Sequence, residues 1–214
     1  MTLTSTQKLT FLEFLEQYPD GYGQYELVNG KLVKIEPTRA HKNIARFLVR
    51  CFDRESDTAN ATLHERLNID YIVDKDIIIR TTTQAGEERG RNPDVGVVKA
   101  AVWNSNVRTY GALTEPIQLA VEVVSTNWED DYIDKRDEYQ RLGIAEYWIV
   151  DYLAIGSRTF LGNPKQPTIF IHQLVEGEYK VQSLTGSDNI ISATFPELEL
   201  TCEQVFASSQ IREL

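Results

Sequence analysis

The sequence predicts a single α/β domain over residues 1–214, and three observations predict it. An Asn29-Gly30 step separates two short apolar runs, Tyr25-Glu-Leu-Val and Lys31-Leu-Val-Lys-Ile-Glu36, which is the strongest short-range signal for a β-hairpin. A long segment, about Arg39 to Glu55, places Ile44, Ala45, Phe47, Leu48, Cys51 and Phe52 on one helical side. Two further runs, Ile117 to Val124 and Glu146 to Asp151, are apolar on both alternating faces apart from isolated acids and Gln118, as in strands covered on both sides.

The other elements fall around these. Thr6 to Gln17 predicts a short amphipathic helix with Phe11, Leu12, Phe14 and Leu15 as its apolar face, ended by Pro19, Gly21 and Gly23. Thr38 is placed to cap the long helix. Strands follow at about Glu65 to Val73 and Asp76 to Arg80, with a turn at Asp74-Lys75. The charged, Gly-containing segment Thr81 to Arg91 predicts a mobile loop ahead of a strand at Val95 to Val98. After an irregular stretch, Asn104 to Pro116, and the strand Ile117 to Val124, a helix from Trp128 to Leu142 ends at Gly143 as C-cap. Thr168 to Leu174 and Tyr179 to Leu184 form a late hairpin, and a short helix at Cys202 to Ala207 closes the chain.

Composition bounds the function. With 42% hydrophobic and 25% charged residues the chain is of ordinary globular type. No stretch is long and apolar enough for a membrane span, and residues 1–8 lack the apolar centre of a signal peptide, so the expectation is a cytoplasmic protein with no membrane partner. Cys51 and Cys202 have no CxxC or Cys/His company and read as small buried hydrophobes. The net charge of −10 argues against broad electrostatic binding of nucleic acid, which needs a basic surface. A nucleic-acid role would have to use a local basic patch such as Arg39, Lys42, Arg46 and Arg50, which fall at helical spacings of three and four. That stripe reads either as a phosphate-contacting surface or as a solvated helix face paired with neighbouring acids such as Asp53 and Glu55.

The chemistry concentrates in three charges. Asp94 follows Asn92-Pro93 at the entrance of one strand, and Glu122 lies inside another. Acids are costly in strands that otherwise read as buried. Alternation puts Ala120, Glu122 and Val124 on one face and Leu119, Val121 and Val123 on the other. If the two strands pair, both carboxylates can converge on one divalent cation. Lys135 shares a helical stripe with Tyr132, Tyr139 and Leu142, which turns it inward toward the sheet. Two readings of the trio stand: a hydrolytic metal centre, or an inward salt bridge that only holds structure.

Taken together, Tyr25-Glu-Leu-Val-Asn-Gly30, Asn92-Pro-Asp94, Val121-Glu-Val-Val-Ser125, Lys135 with Tyr139, and Gly143-Ile-Ala-Glu-Tyr-Trp-Ile-Val-Asp151 resemble the Uma-two family of restriction-endonuclease-like proteins, within the PD-(D/E)XK nuclease superfamily. The resemblance runs from about Phe11 to Phe206 in the expected order. It implies a restriction-endonuclease-like core, a mixed central β-sheet flanked by helices, and Mg²⁺- or Mn²⁺-dependent cleavage of phosphodiester bonds in nucleic acid, DNA before RNA. Asp94 matches the family's first acidic ligand and Glu122 its second, with the Val123 carbonyl as a further donor. Val124 stands where the superfamily's general pattern has lysine, and Lys135 matches the position from which this family supplies it. Glu26 matches the family's early glutamate, a metal or water contact, while on residue type alone it reads equally as an exposed hairpin acid.

His41 reads as an interior histidine or as a residue at the edge of an active site, and Asp151 as a turn acceptor before a third ligand. Tyr147 and Trp148 read as core. The competing functional reading is a nuclease-like fold kept as a binding or assembly module, favoured by the acidic balance and by Val124. A homodimer is the expected assembly, since two-fold pairing is the commonest and suits two-strand cutting.

Overall fold

The computed structural model describes residues 8–21, 23–56, 71–106 and 111–210. Its elements are α1 (Phe11–Glu16), β1 (Gln24–Val28), β2 (Lys31–Ile35), α2 (Arg39–Ser56), β3 (Tyr71–Asp74), β4 (Ile78–Thr82), β5 (Glu88–Arg91), β6 (Val95–Lys99), α3 (Ala100–Trp103), β7 (Ala112–Leu113), β8 (Leu119–Val123), α4 (Arg136–Leu142), β9 (Glu146–Asp151), α5 (Arg158–Leu161), β10 (Thr168–Val175), β11 (Glu178–Thr185) and α6 (Cys202–Ala207). A π-helical turn, Asp130–Lys135, leads directly into α4.

Two mixed sheets are flanked by helices. One has the order β2-β1-β5-β4-β7, the other β11-β10-β9-β8-β6-β3. In the second, β8 and β9 are parallel and β6 pairs antiparallel with β8 in the register Val95↔Val121, Gly96↔Ala120, Val97↔Leu119. Extended by one step, that register sets Asp94 opposite Glu122 at the end of the ladder. The chain passes from the first sheet to the second at Asn92-Pro93-Asp94, between β5 and β6. The residues with chemistry therefore sit where the two sheets meet.

The face assignment for β8 follows its alternation. Leu119, Val121 and Val123 pack with Ile44, Leu48 and Phe52 of α2 and with α6. Ala120 and Val124 pack on the other side with Tyr132, Tyr139 and Tyr147. Val124 is only 1% exposed and lies in that apolar cluster. The hairpin at Asn29-Gly30 and the Gly143 C-cap, with φ 93°, also form as expected.

Several expectations are corrected. The segment Thr81 to Arg91 is not a loop: it holds the end of β4, a turn at Thr83–Glu87, and β5, which pairs with β4 and β1. Its charges concealed a buried strand because their partners lie far away in sequence. Gly90 permits the fit, since a Cβ there would lie 2.8 Å from Phe14 Cε1. Helix α1 starts at Phe11 with a Thr10–Glu13 capping box, and Leu12, expected on its apolar face, is 65% exposed. The strand expected at Glu65 to Val73 is described only from Tyr71, and its earlier part lies outside the described residues. A short strand, β7, occupies part of the stretch read as irregular, and α5 was not anticipated.

Candidate active site

Asp94, Glu122 and Lys135 come together, and the local sequence explains how. Pro93 restricts the backbone at Asn92, and the Val123 N–H of β8 donates to Asp94 Oδ2 at 2.7 Å, closing the ladder onto the aspartate. Asp94 Oδ1 lies 2.6 Å from His41 Nε2 near the start of α2, a geometry in which the imidazole donates its Nε2–H to the carboxylate. His41 thus stands beside the acidic pair and is only 8% exposed. Thr38 fixes that helix start by accepting from the His41 N–H at 3.3 Å.

Glu122 is buried. Its Oε1 accepts from the Tyr139 hydroxyl at 2.8 Å, and its Oε2 lies 2.9 Å from Lys135 Nζ. Lys135 also meets Asp131 Oδ1 at 3.1 Å and Glu26 Oε1 at 3.7 Å. Lys135 does not come from a regular α-helix. The π turn carries it, and the Tyr147 hydroxyl from β9 donates to the Asp131 carbonyl at 2.9 Å within that turn. Such π segments occur disproportionately at functional sites because they re-aim side chains.

The protonation energetics follow from one ammonium shared among several carboxylates. Burial pushes the Glu122 pKa well above the usual carboxylate range; Lys135 opposes this, while Asp94, Asp131 and Glu26 reinforce it. Asp131 is raised to about 6, again chiefly by burial and against the pull of Lys135. Burial would lower Lys135, but Glu122, Glu26 and Asp131 outweigh it and keep the amine protonated. The centre is short of positive charge.

Behind it lies a second ionic knot built on Arg91, which is 0% exposed. Its Nε and Nη2 donate to Glu138 at 2.8 and 2.9 Å, and Nη1 and Nη2 to Asp130 at 3.0 Å each. Nη1 also donates to Glu26 Oε2 at 3.1 Å, and Thr81 Oγ1 donates to Glu138 Oε2 at 2.6 Å. Arg91 therefore clamps the π turn and α4, and hence Lys135, to β5 and β1. Glu26 is not an exposed hairpin acid: it is 6% exposed and joins the two knots, Oε2 accepting from Arg91 and Oε1 facing Lys135, while Oε1 also accepts the Asn92 N–H.

Glu26, His41, Asp94, Glu122, Asp131 and Lys135 line a cavity of about 430 Å³. Oxygen donors suited to Mg²⁺ or Mn²⁺ face it from Asp94 and Glu122, and such ions need only one or two carboxylates, with water and substrate completing the shell. Each of the four carboxylate oxygens accepts one protein hydrogen bond, which leaves each a second lone-pair direction. The residues fit that role by donor type and by the deficit of positive charge. Among the described residues no group of three or more His, Cys, Asp or Glu is arranged to hold a metal, so an all-protein cage is not the fit.

Arg39, Lys42, Arg46 and Arg50 are exposed, and none lines this cavity. Asp151 serves as a turn acceptor, taking the Ile155 and Gly156 N–H groups and the Tyr132 hydroxyl. Tyr147 and Trp148 are fully buried core. Sequence reasoning gave no role to Asp131, Arg91 or Glu138. Asp131 was visible as the residue four before Lys135 on a helix, the spacing of an ion pair.

The fold is similar to that of the crystal structure of a putative nuclease belonging to DUF820 from Anabaena variabilis ATCC 29413. The TM-score is 0.68 at 14% identity, with 94% of this chain and 99% of that one covered. No curated protein matches the sequence. No helix among the described residues is long and apolar enough to cross a membrane. Residues 11–203 match the Uma2 family, described as "Putative restriction endonuclease", and the chain belongs to that family.

Proposed function

We propose that this protein is a metal-dependent endonuclease that hydrolyses phosphodiester bonds, DNA before RNA, at the cavity holding Asp94, Glu122 and Lys135. The observation that carries the reading is the 2.9 Å approach of Lys135 Nζ to Glu122 Oε2, since it delivers from a helix the amine that Val124 does not supply. Asp94, Glu122 and the Val123 carbonyl would hold Mg²⁺ or Mn²⁺, which when bound polarises the phosphate and acidifies a water. Lys135 stays protonated at neutral pH and offers its charge to the developing negative charge on the phosphoryl oxygens. His41 orients Asp94. Arg91 keeps the lysine-bearing turn against the strands. The exposed Arg39, Lys42, Arg46 and Arg50 would take flanking phosphates, and a homodimer would present two such sites for two-strand cutting.

The test is cleavage of supercoiled plasmid by the purified protein with Mg²⁺ or Mn²⁺, beside Asp94→Asn, Glu122→Gln and Lys135→Ala. Nicking or cutting that is lost in all three supports the assignment; wild-type cutting by any of them removes that residue from it. A second reading, a nuclease fold retained for binding or assembly, is favoured by the occupation of every Asp94 and Glu122 oxygen with a protein partner. Calorimetry separates the two: a Mn²⁺ site abolished by Asp94→Asn belongs only to the first.

A further inference from the structure

Arg89 is two residues before Arg91 on β5, so the two side chains leave the strand on the same face. Their circumstances are opposite. Every nitrogen of the Arg91 side chain donates to a carboxylate, whereas Arg89 Nε and Nη1 are buried without a hydrogen-bond partner. Its nearest acid, Glu138 Oε1, lies 3.9 Å from Nε, too far to accept, and Glu138 is already satisfied by Arg91 and Thr81. A guanidinium that is only 9% exposed with idle donors is costly unless a ligand engages it.

Its location indicates which ligand. Arg89 borders the catalytic cavity and also a larger one of about 970 Å³, so it stands on their common wall. The larger cavity presents Phe160, Ile133 and Val181, which are 40, 51 and 50% exposed. The Phe160 ring is braced on Tyr132 at a centroid distance of 4.8 Å. An anion-seeking fork between a phosphodiester-cutting centre and an exposed aromatic platform matches the repeating unit of a single strand: a backbone phosphate followed by an unstacked base.

We infer that Arg89 binds a backbone phosphate of single-stranded nucleic acid next to the scissile one, and that the larger cavity receives the adjoining nucleobase on Phe160. This rests on the nuclease reading. It gives the site a preference for places where a base can leave the duplex, such as single strands, flaps, frayed ends and the unpaired stretches of supercoiled plasmid, because a base held in a pair is not free to enter the cavity.

The experiment measures fluorescence anisotropy of a labelled single strand and its duplex, with Ca²⁺ in place of Mg²⁺, against wild type, Arg89→Met and Phe160→Ala. Each variant is expected to weaken single-strand binding about tenfold while changing duplex binding less than about twofold. Arg89→Met should also flatten the log–log salt dependence on the single strand by about 0.7, one phosphate contact. Its melting temperature should equal or exceed that of wild type, since the methionine fills the same space without idle donors. Unchanged single-strand affinity in both variants, equal losses on duplex and single strand, or a lowered melting temperature for Arg89→Met would each overturn the subsite. Wild type that cuts plasmid while the variants bind normally sinks the subsite alone; wild type that neither binds nor cuts nucleic acid sinks the nuclease reading with it.

Discussion

Lys135 Nζ lies 2.9 Å from Glu122 Oε2 and 3.1 Å from Asp131 Oδ1, so one helix-borne ammonium serves two buried acids. Removing it should expose their mutual repulsion. Lys135→Met is expected to lose about 3 kcal/mol of stability in urea unfolding, the typical result of orphaning a buried charge. Adding Glu122→Gln should return part of that loss. A double variant as unstable as the sum of the two single ones would show that the pair is not coupled.

Arg91 should be the costliest side chain in the site to truncate. Arg91→Met leaves Glu138, Glu26 and Asp130 without their shared partner, and a loss of about 3–5 kcal/mol is expected. Activity should fall even under conditions where the variant is fully folded, because the turn carrying Lys135 loses its clamp. Chemical denaturation together with plasmid nicking checks both.

Moving the lysine back to the strand should fail. Val124 is 1% exposed among Tyr132, Tyr139 and Tyr147, so Val124→Lys places an ammonium in an apolar cluster. A destabilisation of several kcal/mol is expected. Val124→Lys combined with Lys135→Met should therefore not recover cutting; recovery would show that the two positions are interchangeable.

His172 supplies a pH dependence away from the acidic centre. Burial, helped by the Arg136 charge, lowers its pKa to about 4. The unfolded chain binds this proton below about pH 6.5 while the folded one does not until about pH 4, so stability falls with pH across that window. The full contribution is about 3 kcal/mol, present above the window. His172→Gln should flatten the decline between pH 7 and pH 4.5 in denaturant titrations. An unaltered slope would assign the decline to other groups.

Much of this centre could be read from spacing. Strict alternation along β8 separates Glu122 from Val123, and the stripe of Tyr132, Lys135 and Tyr139 turns the lysine inward. What resisted reading was non-local. The strand Glu88–Arg91 looks like a polar loop because Arg91 is neutralised by Glu138, 47 residues later, and no window along the chain contains that pairing. The division into two sheets depends on β5 joining β1, again a distant partner. The π turn adds a residue to a helical period and so blurs the signal used to find it. His41 was ambiguous because its partner, Asp94, is 53 residues away.

The placement of the amine on a helix, with its acids on strands and a hairpin, has a consequence for how the protein matures. A nascent chain with β6 and β8 paired already presents both carboxylates at the end of one ladder. Until the turn through Lys135 docks, such a chain has no ammonium to go with them. Lys135 lies 13 residues beyond Glu122, on the turn that follows β8, so the ladder sets the two acids in place and their counter-charge arrives only where that turn packs against it.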